Sequence, residues 1–431
     1  MYKTPEPLRI ALCPPEFDQL QRAMQGGAAD ATHIIQRYVA AGLQARGHTL
    51  TFLAPRNLEE VMCTRDLADV RLGPQSWSAS RWFAVAGKTA WRFQRWLGIP
   101  YLNVFSNYRL YDICLQCLPG HDLVYERNTL YRDGIARACR RLKLPYVLYI
   151  EADDILEHDI MGKPITGLLR WRARQTAQYN LDAADCVITV SEPTRLHLIA
   201  KWRVLPEKIL VFPNAVDVAL FRPDETVRRR VRASLGIAEA PLILFVGNFY
   251  EWHDVSTLLK AFAVTVATHP DARCVLVGDG AKRKAMEQLA AELGISNAVT
   301  FTGLLPHTEV AHMAASADIA VVPYPVLQQE LWLSPLKLYE YMASGAAIVA
   351  SSIGQITQVI EDGRSGLLTP PEDISGMARA FCTLIDDRPL RLQLAAQARN
   401  EAVQKHSWEH YLSRLEGVFA SVLAGQPVNS L

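Results

Sequence analysis

Short apolar runs alternate with helix-like stretches along the whole chain, a pattern that predicts βαβ units and parallel sheets. In the first half the runs read as strands are Leu8 to Cys13, Thr49 to Ala54, Asp122 to Glu126, Tyr146 to Ile150, Cys186 to Val190 and Ile209 to Phe212. In the second they are Leu242 to Gly247, Cys274 to Val277, Val299 to Thr302, Ile319 to Pro323, Ala347 to Ser351 and Gly366 to Thr369. Each set suffices for one doubly wound sheet, so the expected fold class is α/β with two Rossmann-like domains. The turn-rich Asn214 to Pro223, the basic Thr226 to Leu235 and Ala238 to Pro241 separate the sets. They place the domains at 1–213 and 239–405 with a linker at 214–238. Within 406–431, Trp408 to Leu423 reads as a long amphipathic helix that could cross back to the first domain.

One helix carries candidate chemistry. The apolar run Asp318 to Pro325 ends in prolines, and Ser334 to Gly345 follows. Ser334 suits an N-cap, Pro335 a first helical residue and Gly345 a terminator. The helix N-terminus then lies beyond the carboxyl end of a strand, where open α/β sheets bind ligands, and its unpaired amides suit phosphate. Lys337 adds a positive charge in the first turn. Glu340 shares its face and suits two sugar hydroxyls. Diphosphate and ribose together describe a nucleotide sugar. The plain alternative is a capped helix with a surface Lys–Glu pair.

Composition narrows the partners. The 431 residues, half of them hydrophobic and 21% charged, carry a net charge of +1, which gives no reason to expect nucleic acid. No apolar run reaches the roughly 18 residues of a membrane span, and Met1 to Pro7 lacks a signal-peptide core. The cysteines are scattered; Cys114 and Cys117 form a lone CxxC that reads as packing rather than zinc. This usage fits a reducing cytoplasm. Arg81 to Trp96 stands out: Trp82, Val85, Thr89, Phe93 and Trp96 share one helical face, beside Arg81, Lys88, Arg92 and Arg95. Such a helix either packs into the core with a solvated basic side, the favoured reading, or makes peripheral contact with an anionic membrane.

Other candidates lie at strand ends. Gly26 and Gly27 precede the helix-like Thr32 to Leu43 and let backbone approach a phosphate or sugar, unless they form an ordinary turn. Glu126 and Arg127 close one strand, where an arginine can hold donor or acceptor or make a structural ion pair. Glu151 and Asp153 follow the next, and either orient an acceptor hydroxyl and steady a developing positive charge or sit as solvated acids.

Ten short motifs in order resemble the GT-B glycosyltransferases of family 4, retaining nucleotide-sugar transferases. In the second half they are Phe245 to Phe249 with Trp252-His253-Asp254, Leu276 to Gly280, Phe301-Thr302-Gly303, Glu340, and Gly363 to Leu368. In the first they are Gly26-Gly27, Gly47-His48, Val124 to Arg127, Val190-Ser191-Glu192 and Pro213 to Asp217. The resemblance implies a GT-B fold, two Rossmann-like domains facing across a cleft. It implies a nucleotide-sugar donor, an unidentified acceptor and no metal or other cofactor. Donor contacts would come from Gly27, Asn248, His253, Gly278, Leu304, Trp332, Leu333, Ser334, Pro335, Leu336, Lys337 and Glu340. Lys337, Glu151 and Asp153 would be catalytic, with Gly26, Arg127 and Glu126 near the acceptor or sugar.

Three departures matter. Trp332 stands where the family has the first of two spaced glutamates. Asn248 and His253 stand near the places of the arginine and lysine that grip the diphosphate; a protonated His253 could serve there. The histidine common after the strand Tyr146 to Ile150 is replaced by Glu151, Ala152, Asp153 and Asp154. The activity implied is retaining transfer in polysaccharide, glycolipid or small-molecule glycoside synthesis. An epimerase or hydrolase acting on a nucleotide sugar, or a non-catalytic binding subunit, would fit the same donor residues.

Overall fold

The computed structural model describes residues 6–27, 31–160, 162–250, 252–326 and 334–428. The chain divides into two compact units at Phe212/Pro213 and again at Tyr411/Leu412, so its last stretch belongs with the first unit.

The first unit runs β1 Arg9–Cys13, α1 Phe17–Met24, α2 Ala31–Ala45, β2 Thr49–Pro55, β3 Val61–Thr64, α3 Arg81–Trp96, α4 Val104–Cys117, β4 Leu123–Arg127, α5 Gly134–Leu142, β5 Tyr146–Ile150, α6 Asp154–Ile160, α7 Gly167–Ala183, β6 Cys186–Thr189, α8 Glu192–Trp202 and β7 Ile209–Val211. Its sheet has the order β3-β2-β1-β4-β5-β6-β7. Every pairing is parallel except β2 with β3, where Phe52 faces Thr64. The central strands are apolar on both faces, as a sheet covered on both sides by helices requires; all five residues of β5 are buried.

The second unit runs α9 Glu225–Ser234, β8 Leu242–Val246, α10 Val255–Thr268, β9 Arg273–Val277, α11 Arg283–Glu292, β10 Val299–Gly303, α12 His307–Ser316, β11 Ile319–Val322, α13 Leu336–Ser344, β12 Ala347–Ser351, α14 Ile356–Val359, β13 Leu367–Thr369, α15 Ile374–Asp386, α16 Arg388–Lys405 and the start of α17 Trp408–Leu423. Its wholly parallel sheet has the order β10-β9-β8-β11-β12-β13. Strand order reverses between β8 and β11, the switch point at which such sheets open a crevice beyond their carboxyl ends.

All the strands read from the sequence are present, within one residue at each end. Four elements differ from expectation. The antiparallel edge strand β3 was not foreseen, nor was α1. The 214–238 stretch is no free linker. Val216, Phe221 and Ile237 are buried in the core of the second unit. Arg228 and Arg232 bind Asp318 at 2.7 and 3.1 Å and both donate to the Ser316 carbonyl. Finally, α3 buries none of its residues, so it is not the core-packed helix favoured from sequence. From Leu412 onward α17 packs within the first unit: Glu416 accepts from Arg46 and from His48, the latter at 2.9 Å, and Phe419 lies edge-on to Tyr125. No helix among the described residues is long and apolar enough to cross a membrane.

Candidate functional site

The crevice end of the second unit is built on close backbone contact. Gly247 and Gly278 directly follow β8 and β9. At Gly278 (φ +137°) a β-carbon would lie 2.1 Å from the Gly247 carbonyl oxygen, and at Gly247 one would lie 2.6 Å from Lys337 Nζ. Only glycine fits either place. The Tyr341 hydroxyl accepts from the Val246 amide at 2.7 Å, which ties α13 to the end of β8.

α13 is buried from Lys337 to Ser344 and ends at Gly345 in the left-handed region (φ 77°), as expected. Its start differs. The helix begins at Leu336 with Pro335 in the cap position, and no side chain caps it. The Ser334 hydroxyl is used elsewhere: it accepts from the Asn214 amide at 3.0 Å and shares a hydrogen bond with the Tyr339 hydroxyl at 3.0 Å. No side-chain cap takes the first-turn amides; that of Leu338 donates to the Pro335 carbonyl at 3.0 Å, and those of Leu336 and Lys337 are suited to an anion.

Lys337 and Glu340 are both buried, so they are not a surface pair. Lys337 Nζ lies 4.5 Å from the Phe245 ring centre and 5.9 Å from that of Tyr324, a cation–π setting. It donates to His253 Nε2 at 3.1 Å. His253 Nδ1 in turn donates to the Asn248 carbonyl at 2.6 Å, which leaves a lone pair on Nε2 for the lysine. Burial, with Lys337 alongside, pulls the His253 pKa down to about 3. With no phosphate beside it the imidazole is neutral; the expectation was of a His253 protonated beside phosphate. Burial also lowers the Lys337 pKa to about 7, against the pull of Glu340. An arriving diphosphate would favour its charged form.

Glu340 points to another partner: its Oε1 accepts from His307 Nε2 at 2.7 Å. His307 opens α12, just after the turn that follows β10, and was missed in the sequence. Phe245 and Tyr324, which line the lysine, were also missed. Asn248 and Leu304 are exposed beyond the ends of β8 and β10. Trp332 and Leu333 lie outside the described residues.

In the first unit, strand ends β4 and β5 bring together Arg127, Glu151 and Asp154. Arg127 donates to Glu151 Oε2 at 3.0 Å and to Asp154 Oδ1 at 3.5 Å. Thr32 donates to the same Glu151 oxygen at 2.7 Å. Burial works against the Arg127 charge, but the two carboxylates hold its pKa above the ordinary value. Glu151 Oε1 and Arg127 Nε are buried without a hydrogen-bond partner, a condition that costs about 1–3 kcal/mol per group unless water or ligand completes it.

Other expected site residues of this unit are engaged within the fold. Asp153 is structural: Oδ2 accepts from His197 and Trp202 at 2.9 and 2.8 Å, and Oδ1 accepts from the amides of Ile155 and Leu156 at the start of α6. Burial opposes its charge, yet those bonds keep its pKa below the usual range. Glu126 is buried beneath the sheet end, accepting from the Tyr146 hydroxyl at 2.7 Å, and burial raises its pKa to about 7. Gly26 and Gly27 terminate α1, their amides donating to the carbonyls of Ala23 and Arg22, so those amides are not aimed at a ligand. Among the described residues no group of three or more His, Cys, Asp or Glu could hold a metal ion.

Comparison with known proteins agrees with this layout. Over 251 residues the chain is 30% identical to a D-inositol 3-phosphate glycosyltransferase of Acidothermus cellulolyticus, covering 56% of this chain and 54% of the relative. The chain thus matches about half the length of that relative. An alpha-D-kanosaminyltransferase of Streptomyces kanamyceticus is 28% identical over 287 residues, 66% of this chain and 72% of its own. The solved structure of HepE from Anabaena, in complex with UDP and glucose, superposes with a TM-score of 0.64 at 18% identity, over 96% of this chain and all of that one; at that identity the likeness speaks for the fold. Residues 31–215 match the family described as Glycosyl transferase 4-like domain and residues 227–401 that described as Glycosyl transferases group 1. With two parallel-sheet units, both family matches and these relatives in agreement, the chain belongs to the GT4-type glycosyltransferase family of GT-B fold.

Proposed function

We propose that the protein is a retaining glycosyltransferase that moves a sugar from a nucleoside-diphosphate sugar to an acceptor hydroxyl. The observation that carries this reading is the buried Lys337 in the first turn of an uncapped helix, at the carboxyl ends of β8 and β11. In this reading Lys337 and the α13 amides stabilise the leaving diphosphate where its charge develops. Glu340, oriented by His307, accepts from the ribose hydroxyls. His253 holds the lysine rather than binding phosphate as a cation. The bond from the anomeric carbon to the diphosphate breaks, the acceptor oxygen bonds to that carbon on the same face, and the acceptor proton passes to the departing phosphate oxygen. No protein base is then needed, which accommodates the absent histidine; Glu151 and Arg127 are left to hold the acceptor or sugar. No metal has a role in this scheme.

The relatives act on an inositol phosphate and as a kanosaminyltransferase, and HepE was solved with UDP. These favour a uridine diphosphate donor and a polyol or glycoside acceptor. A cytoplasmic enzyme in peripheral contact with a membrane through Arg81 to Trp96 belongs to the same proposal. The test is a thermal-shift panel of UDP-, GDP-, ADP- and dTDP-sugars, since a ligand of the folded state raises the melting temperature. Anomeric analysis by NMR of the product made with the stabilising donor follows. No shift with any donor, or an inverted product, would overturn the reading.

The replacement of two diphosphate-binding cations by Asn248 and a neutral His253 favours a second reading, a subunit that binds the donor without turning it over. Stabilisation by a donor with no release of nucleoside diphosphate, native extract being present as acceptor source, would establish it. Release without transfer would mark a hydrolase.

A further inference from the structure

The helix α3 is inside out relative to ordinary packing. Its partly buried positions are Phe83, Gly87, Ala90 and Gln94, spaced as one helical stripe. That stripe seats the helix on its own unit: Phe83 packs at 5.3 Å from the rings of both Trp77 and Phe105, and Phe105 also lies under Gly87. Trp91, at the edge of the stripe, meets Tyr101 at 5.3 Å. The bulkier apolar stripe points the other way. Trp82 is 84% exposed, Val85 56%, Phe93 58% and Trp96 78%. Side chains of this size left in water as one stripe mark an interaction surface rather than a folded-state contact.

Its chemistry selects the partner. Arg81, Lys88, Arg92 and Arg95 run along one flank of the exposed stripe, and the helix contains no acidic residue. A second copy of the same surface would bring these cations against each other. A surface that takes tryptophan rings at a polar–apolar boundary and welcomes a row of positive charge is an anionic lipid headgroup layer. We infer that α3 lies in the interface of an anionic phospholipid bilayer, with Trp82, Val85, Phe93 and Trp96 entering the acyl boundary and the basic flank on the headgroups. The stripe 83/87/90/94 stays bound to the protein, so the helix docks without detaching. This rests on the peripheral contact proposed above for Arg81 to Trp96 and names its partner; it does not depend on the transferase activity.

The test uses the full chain with no nucleotide sugar present, so its outcome is separate from that of the donor experiments. Vesicles of phosphatidylcholine alone and of phosphatidylcholine with 30 mol% phosphatidylglycerol (about a third anionic, enough to attract a polybasic helix) are sedimented with the protein, and tryptophan emission is followed. Binding should be at least about tenfold tighter to the anionic vesicles and should weaken as added salt shortens the Debye length. The emission should shift to the blue. The variant W82S/F93S/W96S should lose binding about tenfold or more while its far-UV circular dichroism and melting temperature match the wild type, because the replaced side chains stand outside the fold. R81Q/K88Q/R92Q/R95Q should lose the preference for anionic vesicles. Equal binding to both vesicle types, no binding to either, or a self-association in sedimentation velocity that the serine variant abolishes would each overturn the inference.

Discussion

Replacing Lys337 by methionine should make the protein more stable and less active. The amine is buried and its pKa falls from the ordinary 10.5 to about 7. The folded state therefore binds fewer protons than the unfolded state between those values. The penalty for burying the charge is complete below pH 7 and is relieved as pH rises towards 10.5. The shift of about 3.5 units corresponds to roughly 5 kcal/mol at most, at 1.36 kcal/mol per unit. Contact with Phe245 and the hydrogen bond to His253 are part of the same balance. Methionine keeps the length and apolar stem without a charge, and such exchanges of buried ions commonly stabilise by 1–4 kcal/mol. At neutral pH, Lys337→Met should raise the melting temperature by several degrees, about 2–4 °C per kcal/mol for a unit of this size. The gain should shrink as pH rises from 7 towards 10.5. Donor turnover should fall about 10²–10³-fold, the cost of one oxyanion donor. Differential scanning fluorimetry across pH 6–10 (a range about the two pKa values) and nucleoside diphosphate release measure the two effects. Near-normal turnover, or a loss of stability at pH 7, would refute the reasoning.

Other outcomes follow from the same contacts. Donor binding at pH 8 should take up a proton, because the diphosphate recharges an amine of pKa about 7; calorimetry in buffers of differing ionisation enthalpy would show a buffer-dependent heat, and its absence would contradict the buried-amine account. Glu340→Gln should raise the donor KM by about tenfold or more, as a charged hydrogen bond to ribose is lost, with a smaller effect on kcat. Asp153→Asn should destabilise by about 1–3 kcal/mol in denaturant melts, through the bonds from His197 and Trp202, and leave donor KM unchanged. Glu126→Gln should be tolerated above pH 7, where the wild type carries an unwelcome buried carboxylate; the pKa raised to about 7 makes the wild type lose stability as pH rises from 4.5 to 7 relative to this variant. Gly278→Ala would drive a β-carbon against the Gly247 carbonyl and should abolish the cooperative unfolding of the second unit.

The sheets were legible because buried parallel strands write continuous apolar runs, as Tyr146 to Ile150 does. The edge strand β3 has four residues, too few for such a signal. Helix α1 follows two prolines and a glutamate, and its eight residues read as loop. Lys337 and Glu340 could be placed on one helical face by spacing alone. Their partners could not, because His253, His307, Phe245 and Tyr324 arrive from other strand ends. Ser334 has the composition of a cap, yet Asn214, 120 residues away, takes its hydroxyl. In the run Glu151 to Asp154 the acids are indistinguishable in sequence. The contacts with His197 and Trp202 make Asp153 structural, while those with Arg127 draw Glu151 and Asp154 together. For α3 the helical wheel identified the aromatic stripe, but which stripe met the protein was decided by Trp77, Tyr101 and Phe105.

The central claim is that α13 and Lys337 hold the leaving diphosphate. A crystal structure of the protein with the nucleoside diphosphate of its stabilising donor tests this most directly. The account predicts a phosphate oxygen at about 3 Å from Lys337 Nζ and another within hydrogen-bond range of the α13 first-turn amides, with both ribose hydroxyls on Glu340. A nucleotide bound with its diphosphate away from Lys337 would contradict it.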